Sequence, residues 1–323
     1  MPLVIAGFDA GQTHTTCRLA RRTASGELEP LAEGQGPGVS HLAAPGGEDR
    51  FAAALRLSRA AAAAAMGCAG VELVSAAIGA SGIEAGSPVQ AQGQQLAVAA
   101  LALPPGRVAV TGDECTALRG AFPHGAGILV ISGTGCIAVG RNGSGQEHRC
   151  GGWGWLLDGS GSAMDIGRDA LMASVRMADG RERDTALRHS LWNALAVGSA
   201  QELKALVVRS DFGPAGFASL APWVDQLAAT GDIGAQAIVE RSAAGLADLV
   251  AGVATALDLP GPAVAAVGGA ITHLETLRRA WKLELATRMP GATVVPVYRD
   301  ACHGALLLAL DLVTDRRDSA SPA

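Results

Sequence analysis

The chain has 323 residues, of which 49% are apolar, 17% charged and only 3% aromatic, and its net charge is −5. That length supports two domains of ordinary size, with cores filled mainly by Ala, Gly, Leu and Val. The acidic balance, the absence of a long basic run and the absence of a membrane-length apolar run argue against nucleic acid and membranes as partners.

In chain order, the apolar alternation predicts three antiparallel strands over residues 3–8, 15–20 and 29–35. A helix follows over 50–66, a strand over 71–78, a helix over 88–101, a short strand over 107–111 and a helix over 114–121. The pattern then restarts with strands over 127–132, 136–141 and 147–150. Helices are expected over 162–178, 183–195, 200–208, 217–230 and 232–257, then a strand over 263–267, a helix over 274–289 and a strand over 293–297. A closing helix over 301–312 precedes a polar segment, 315–323, that reads as a disordered tail. No charged leader precedes an apolar stretch, so no signal peptide is expected and the location read is cytoplasmic. The cysteines at 17, 68, 115, 136, 150 and 302 show no Cys-x-x-Cys spacing and read as reduced, mostly buried thiols.

Five segments carry chemistry. Gly7-Phe8-Asp9-Ala10-Gly11-Gln12-Thr13-His14 is a hairpin tip with a carboxylate and hydroxyls. Its glycine allows backbone N–H groups to approach phosphate, and Asp9 suits a hydrated Mg²⁺. Ser132-Gly133-Thr134-Gly135 repeats this strand–turn–strand pattern and offers N–H groups and hydroxyls to phosphate. The repetition suggests two similar halves, each aiming a tip at a polyphosphate. Val267-Gly268-Gly269 ends a buried strand before a helix and would let backbone approach a flat ligand such as adenine. Asp113, in Gly112-Asp113-Glu114, is either a plain helix N-cap or a general base for an attacking hydroxyl. Glu114 would point elsewhere on that helix. Cys150-Gly151-Gly152-Trp153-Gly154, with Asp158-Gly159-Ser160-Gly161-Ser162 after it, combines glycines, an aromatic wall and polar donors suited to a sugar.

Together these segments resemble the acetate kinase/hexokinase/actin superfamily, and within it the BadF/BadG/BcrA/BcrD-type group that contains N-acetylglucosamine and glucosamine kinases. Further matching pieces are Phe217-Ala218, Ala228-Ala229-Thr230-Gly231-Asp232 and Pro296-Val297-Tyr298-Arg299-Asp300-Ala301-Cys302-His303-Gly304-Ala305. The resemblance implies an α/β chain of two ribonuclease-H-like (actin/hexokinase-type) domains with an interdomain cleft. They would span residues 1–115 plus 298–323, with a returning C-terminal helix, and 116–297. It implies ATP and Mg²⁺ as cofactors, an amino sugar as substrate and phosphorylation of its 6-hydroxyl. By position, Asp9 would hold Mg²⁺ and Asp113 would be the base. Gly11, Gln12, Thr13, Ser132, Gly133, Thr134, Gly135, Gly216, Gly268 and Gly269 would serve the nucleotide. Ser40, Ser81, Gly152, Trp153, Gly154 and Asp158 would serve the sugar. The chain departs from the family at two sugar contacts: Ser40 stands where the family has Asn, and Asp158-Gly159-Ser160 displaces its Gly-Asp-Glu. Same-fold alternatives are an ATPase that activates an iron–sulfur dehydratase and a non-catalytic sugar-sensing regulator. The scattered cysteines disfavour the first; intact Asp9 and Asp113 disfavour the second. Homodimerisation is left open.

Overall fold

The structure is a computed structural model that describes residues 4–23, 27–68 and 70–318. The chain separates into two compact units, Met1–His124 with Val297–Ala323, and Gly125–Pro296. The unit boundary therefore falls at 124/125 instead of the expected 115/116, which would have cut through a helix.

The first unit begins with β1 (Val4–Ala10), β2 (His14–Arg22) and β3 (Leu28–Pro37), then α1 (Gly47–Ala65), β4 (Leu73–Ala80), α2 (Pro88–Leu101), β5 (Val108–Gly112) and α3 (Asp113–Ala121). Its sheet runs β3-β2-β1-β4-β5, antiparallel among the first three strands and parallel from β1 to β5. As far as Phe8, β1 carries no polar side chain because both its faces are covered. Val4, Ala6 and Phe8 join the core that includes Phe51 and Leu55 of α1. Ile5 joins Leu306 and Ala309 of the C-terminal helix, Ala301–Asp318, on the other face.

That helix lies against β1, β4 and α3. Two glycines permit the close approach. A Cβ on Gly7 would lie 2.6 Å from the Cys302 carbonyl oxygen, and one on Gly304 would lie 1.9 Å from that of Thr116. Neither position can carry a side chain while the helix stays seated.

The second unit holds β6 (Gly127–Ser132), β7 (Cys136–Arg141), β8 (Glu147–Gly151), α4 (Ala163–Ala178), α5 (Ala186–Ala194), α6 (Ala200–Val207), α7 (Gly213–Ala218), α8 (Ala221–Ala229) and α9 (Ile233–Ala256). It closes with β9 (Ala263–Val267), α10 (Gly269–His273), α11 (Glu275–Arg288) and β10 (Thr293–Val294). Its sheet, β10-β9-β6-β7-β8, has the connectivity of the first: a three-strand antiparallel meander extended by two parallel strands. The internal repetition read from the two tips is thus a repetition of topology. The fold is the α/β actin/hexokinase type.

Several boundaries differ from the sequence-based ones. The helix expected over 217–230 is two helices, α7 and α8, because Pro222 falls in the first turn of α8 and starts a new helix. The helix expected from 274 is preceded by the short α10, and the last strand is two residues long. The C-terminal helix continues to Asp318, so residues 315–318 are helical where a tail was expected. Residue 3 of the first predicted strand and residues 319–323 of the tail lie outside the described residues. Cys17, Cys136 and Cys302 are buried, Cys115 and Cys150 half-buried and Cys68 exposed, all as free thiols. Among the described residues no helix is long and apolar enough to cross a membrane.

Candidate functional site

In the first unit, strand order brings the acidic groups to one sheet edge. Asp9 is in register with Gly79 of β4, and Gly79 with Thr111 of β5. The parallel strands β1, β4 and β5 therefore end together, and Asp113 follows directly after β5. The β1–β2 tip closes with the Gly11 N–H donating to the His14 carbonyl at 3.1 Å. Two neighbouring loops tie onto it: the Val39 N–H donates to the Gly11 carbonyl (2.9 Å) and the Ser81 N–H to the Ala10 carbonyl (3.0 Å). Ser40 and Ser81, two expected sugar contacts, thus flank the tip that carries the exposed Gln12 and Thr13. The Ser40 hydroxyl is buried with no hydrogen-bond partner, which leaves a polar atom for a ligand or water to satisfy.

Asp9 is half-buried, and its carboxyl is held above the usual carboxylate range, first by burial and then by repulsion from Asp113 and Asp300. His14 and Arg18 oppose that rise. Among the described residues no group of three or more His, Cys, Asp or Glu side chains is arranged to hold a metal. Mg²⁺ needs no such cage, since one carboxylate, waters and phosphate oxygens suffice. The residues fit it: Asp9 faces like charges that a divalent cation would offset.

Asp113 is not the helix cap. Gly112 occupies that position and Asp113 is the first helical residue. Burial holds the Asp113 carboxyl above its ordinary value, while hydrogen bonds with the Glu114 side chain and backbone hold it down. Glu114 was expected to point elsewhere; it is buried, packed against Gly112 and linked to Asp113. Nothing local in the chain signals this contact, because adjacent helical residues ordinarily diverge.

In the second unit, the β6–β7 tip closes with the Gly133 N–H donating to the Gly135 carbonyl at 2.8 Å. Thr134 and Gly135 are exposed at its end. Ser132 is fully buried and its hydroxyl donates to the Gly161 carbonyl at 2.7 Å. The hydroxyl expected to serve phosphate is spent on holding the glycine-rich loop. Carbonyls of Gly133 and Thr134 accept from the Ala163 and Met164 N–H groups at the start of α4 (2.9 and 3.4 Å).

Gly268 abuts the same tip. Its φ is +104°, and a Cβ there would lie 2.4 Å from the Ser132 carbonyl oxygen. Gly269 beside it is exposed with open space around it. A Gly268→Ala substitution should cost roughly 1–3 kcal/mol through backbone strain alone, read from denaturant unfolding. An unchanged midpoint would contradict this packing. Gly216 lies on α7 with Phe212 against it, and the Ser219 hydroxyl donates to its carbonyl.

β8 runs into the loop 152–161. Gly151, Gly152, Gly154, Gly159 and Gly161 all have left-handed φ, a backbone path that residues with side chains rarely adopt. Trp153 is 60% exposed, with the Arg149 guanidinium 4.7 Å above its ring. Asp158 accepts from the Gly159 N–H at 2.7 Å and turns its carboxylate toward Gly151. Beneath the loop, Arg168 pairs with buried Asp165 and donates to the Trp155 carbonyl at 3.2 Å. Asp165 and Arg168 were not foreseen; they lie on α4, past the motif.

Arg18 and Asp300 were also missed as a pair. The Arg18 guanidinium forks Asp300 at 2.7 Å through both outer nitrogens and also binds Glu33 at 2.7 Å. Asp300 stood inside a quoted motif without a role, and 282 residues separate it from its partner.

Residues 6–309 match the BadF/BadG/BcrA/BcrD ATPase family. The N-acetylmuramic acid/N-acetylglucosamine kinase of Clostridium acetobutylicum is 31% identical over 63% of this chain and 67% of its own length. The N-acetyl-D-glucosamine kinase of Dictyostelium discoideum is 30% identical over 57% of this chain, and the match spans 59% of that protein. A solved Chromobacterium violaceum structure, described as a candidate N-acetylglucosamine kinase, superposes with a TM-score of 0.73 at 28% identity, covering 95% of this chain and 99% of that one.

Proposed function

Because the chain belongs to the BadF/BadG/BcrA/BcrD ATPase family, we propose that it is an ATP-dependent sugar kinase acting on the 6-hydroxyl of an amino sugar, N-acetylglucosamine or glucosamine. The observation that carries the proposal is the juxtaposition of Asp9 and Asp113 at one edge of three parallel strands. A base for a hydroxyl and a carboxylate for a cation are the two acidic parts that phosphoryl transfer requires. The names of the three relatives, each of which includes N-acetylglucosamine kinase, support the substrate class.

Asp9 would hold Mg²⁺ through water; when bound, the cation neutralises charge on the transferred phosphoryl group. Asp113 would orient the sugar hydroxyl and accept its proton, with Glu114 holding the carboxyl in place. Thr13 and Thr134, both exposed at their tips, would donate to phosphate oxygens. The Gly268-Gly269 turn would give the nucleotide a side-chain-free approach. Trp153 would stack on the sugar ring, and Asp158 and the orphaned Ser40 hydroxyl would hydrogen-bond to it. Trp153→Ala should raise the sugar KM about tenfold with a smaller effect on kcat, since an aromatic platform contributes mainly to binding.

The direct test is ADP release with N-acetylglucosamine, glucosamine, N-acetylmuramic acid and glucose as acceptors. A kcat/KM ranking led by an amino sugar is expected. ATP consumption that no sugar stimulates would sink the kinase proposal and favour a dehydratase-activating ATPase or a sugar sensor.

A further inference from the structure

The face of β1–β2 that carries Asp9 is built around the Arg18–Asp300 ion pair. Thr15, Cys17 and Leu19 are buried on one side of β2, so His14, Thr16 and Arg18 project from the other. Asp9 is cross-strand to Thr16 and shares that face. Asp300 enters it from the start of the C-terminal helix, where its Oδ1 accepts from the His303 N–H at 2.9 Å.

The residues beside Asp300 are pinned to α3. The Arg299 N–H donates to the Gly120 carbonyl at 3.0 Å and the Tyr298 N–H to that of Ala121 at 3.3 Å. Residue 120 leaves no room for a side chain, since a Cβ there would lie 2.1 Å from the Asp300 carbonyl oxygen. The Arg18–Asp300 fork therefore joins the hairpin that ends in Asp9 to the helix that begins with Asp113. It also brings a positive guanidinium and a negative carboxylate into the field of Asp9.

We propose that Arg18 and Asp300 are positioning residues: their fork fixes Asp9 relative to Asp113 and sets the net charge that a divalent cation meets at Asp9. The proposal rests on the assignment of Asp9 as the cation's carboxylate. It adds that a pair making no contact with the reaction controls both cation affinity and alignment. The two effects separate because the partners carry opposite charges. A purely structural pair would make either loss act in the same direction; a charge-setting pair would not.

The test is Mn²⁺ binding to the full-length protein in the presence of ADP, followed by electron paramagnetic resonance, beside kcat for sugar phosphorylation. Arg18→Met removes a positive charge and should tighten Mn²⁺ about fivefold, whereas Asp300→Asn should weaken it by a similar factor, as a unit charge several ångströms away in a partly wet site implies. The double variant restores the net charge, so its Mn²⁺ affinity should return to within about twofold of the parent while kcat stays about tenfold low. Arg18→Lys keeps the charge and loses the fork; it should bind Mn²⁺ normally with reduced kcat. If Arg18→Met does not fold, Asp300→Asn and Arg18→Lys still separate charge from alignment.

Equal weakening by both single variants, or full turnover in the double variant, would overturn the proposal. Mn²⁺·ADP binding without phosphorylation of any sugar would defeat the kinase assignment and leave the charge prediction readable. Failure of the parent to bind Mn²⁺·ADP would defeat both.

Discussion

The Asp113→Asn variant should phosphorylate sugar roughly 10²- to 10⁴-fold more slowly than the parent, the usual contribution of a positioned general base. It should also melt at a higher temperature near neutral pH. The two effects share one cause. Burial holds the Asp113 carboxyl above its ordinary value, so the folded protein binds that proton more tightly than the unfolded chain. The group's favourable contribution is complete below the unfolded value, about 4, and is lost as pH rises through the higher folded value. Above the unfolded value, keeping this half-buried carboxyl in the folded chain is a cost that grows with pH, and the neutral amide removes it. The melting difference should therefore grow as pH rises toward neutrality and vanish below about pH 4, where the carboxyl is protonated in the folded and the unfolded chain alike. Melting curves across that range, together with kcat, check both halves. Near-normal turnover would remove Asp113 from its proposed role, and a variant less stable at neutral pH would show that its hydrogen bonds with Glu114 outweigh burial.

The Gly304→Val substitution should destabilise the first unit by roughly 3 kcal/mol or more, because backbone atoms, not a yielding side chain, occupy the space. The Thr116 carbonyl oxygen lies 1.9 Å and the Gly120 nitrogen 2.6 Å from where a Cβ would stand. Relief requires the C-terminal helix to lift from α3, and the same helix covers β1 and β4. A melting temperature lower by about 10 °C is expected for a unit of this size. Activity should fall as well, since α3 begins with Asp113. Ala309→Gly, on the same helix and also fully buried, serves as a control without a clash. An unshifted melting curve for Gly304→Val would mean that the helix is not seated as described.

Much of this architecture is legible in the chain. The paired tips, Asp9 to His14 and Ser132 to Gly135, announce themselves because a hairpin tip is local: alternating apolar residues on both sides and a glycine between them suffice. The repetition extends to the sheets, which share one connectivity, although the strand order itself is not readable from the chain. Asp113 is legible because a strand ends immediately before it. Other features are not local. Whether the Ser132 hydroxyl faces ligand or backbone depends on Gly161, which lies in another loop. The Arg18–Asp300 fork depends on the chain's last helix returning to its first hairpin. Glu114 was set aside by helical geometry, yet the close packing at Gly112 brings its carboxyl to Asp113. The break between α7 and α8 was marked by Pro222 and obscured by the apolar residues on either side of it. The expected sugar contacts are least legible: Ser40 and Asp158 stand where the resemblance departs from its pattern, and only the Ser40 hydroxyl is left without a hydrogen-bond partner while Asp158 accepts from the Gly159 N–H.

The most direct measurement is a phosphorus–proton correlation NMR spectrum of the product formed from N-acetylglucosamine and MgATP. A phosphomonoester coupled to the two protons on carbon 6, formed by the parent and not by Asp113→Asn, is the predicted result. Phosphate on the anomeric carbon, or ATP left intact with every amino sugar tried, would contradict it.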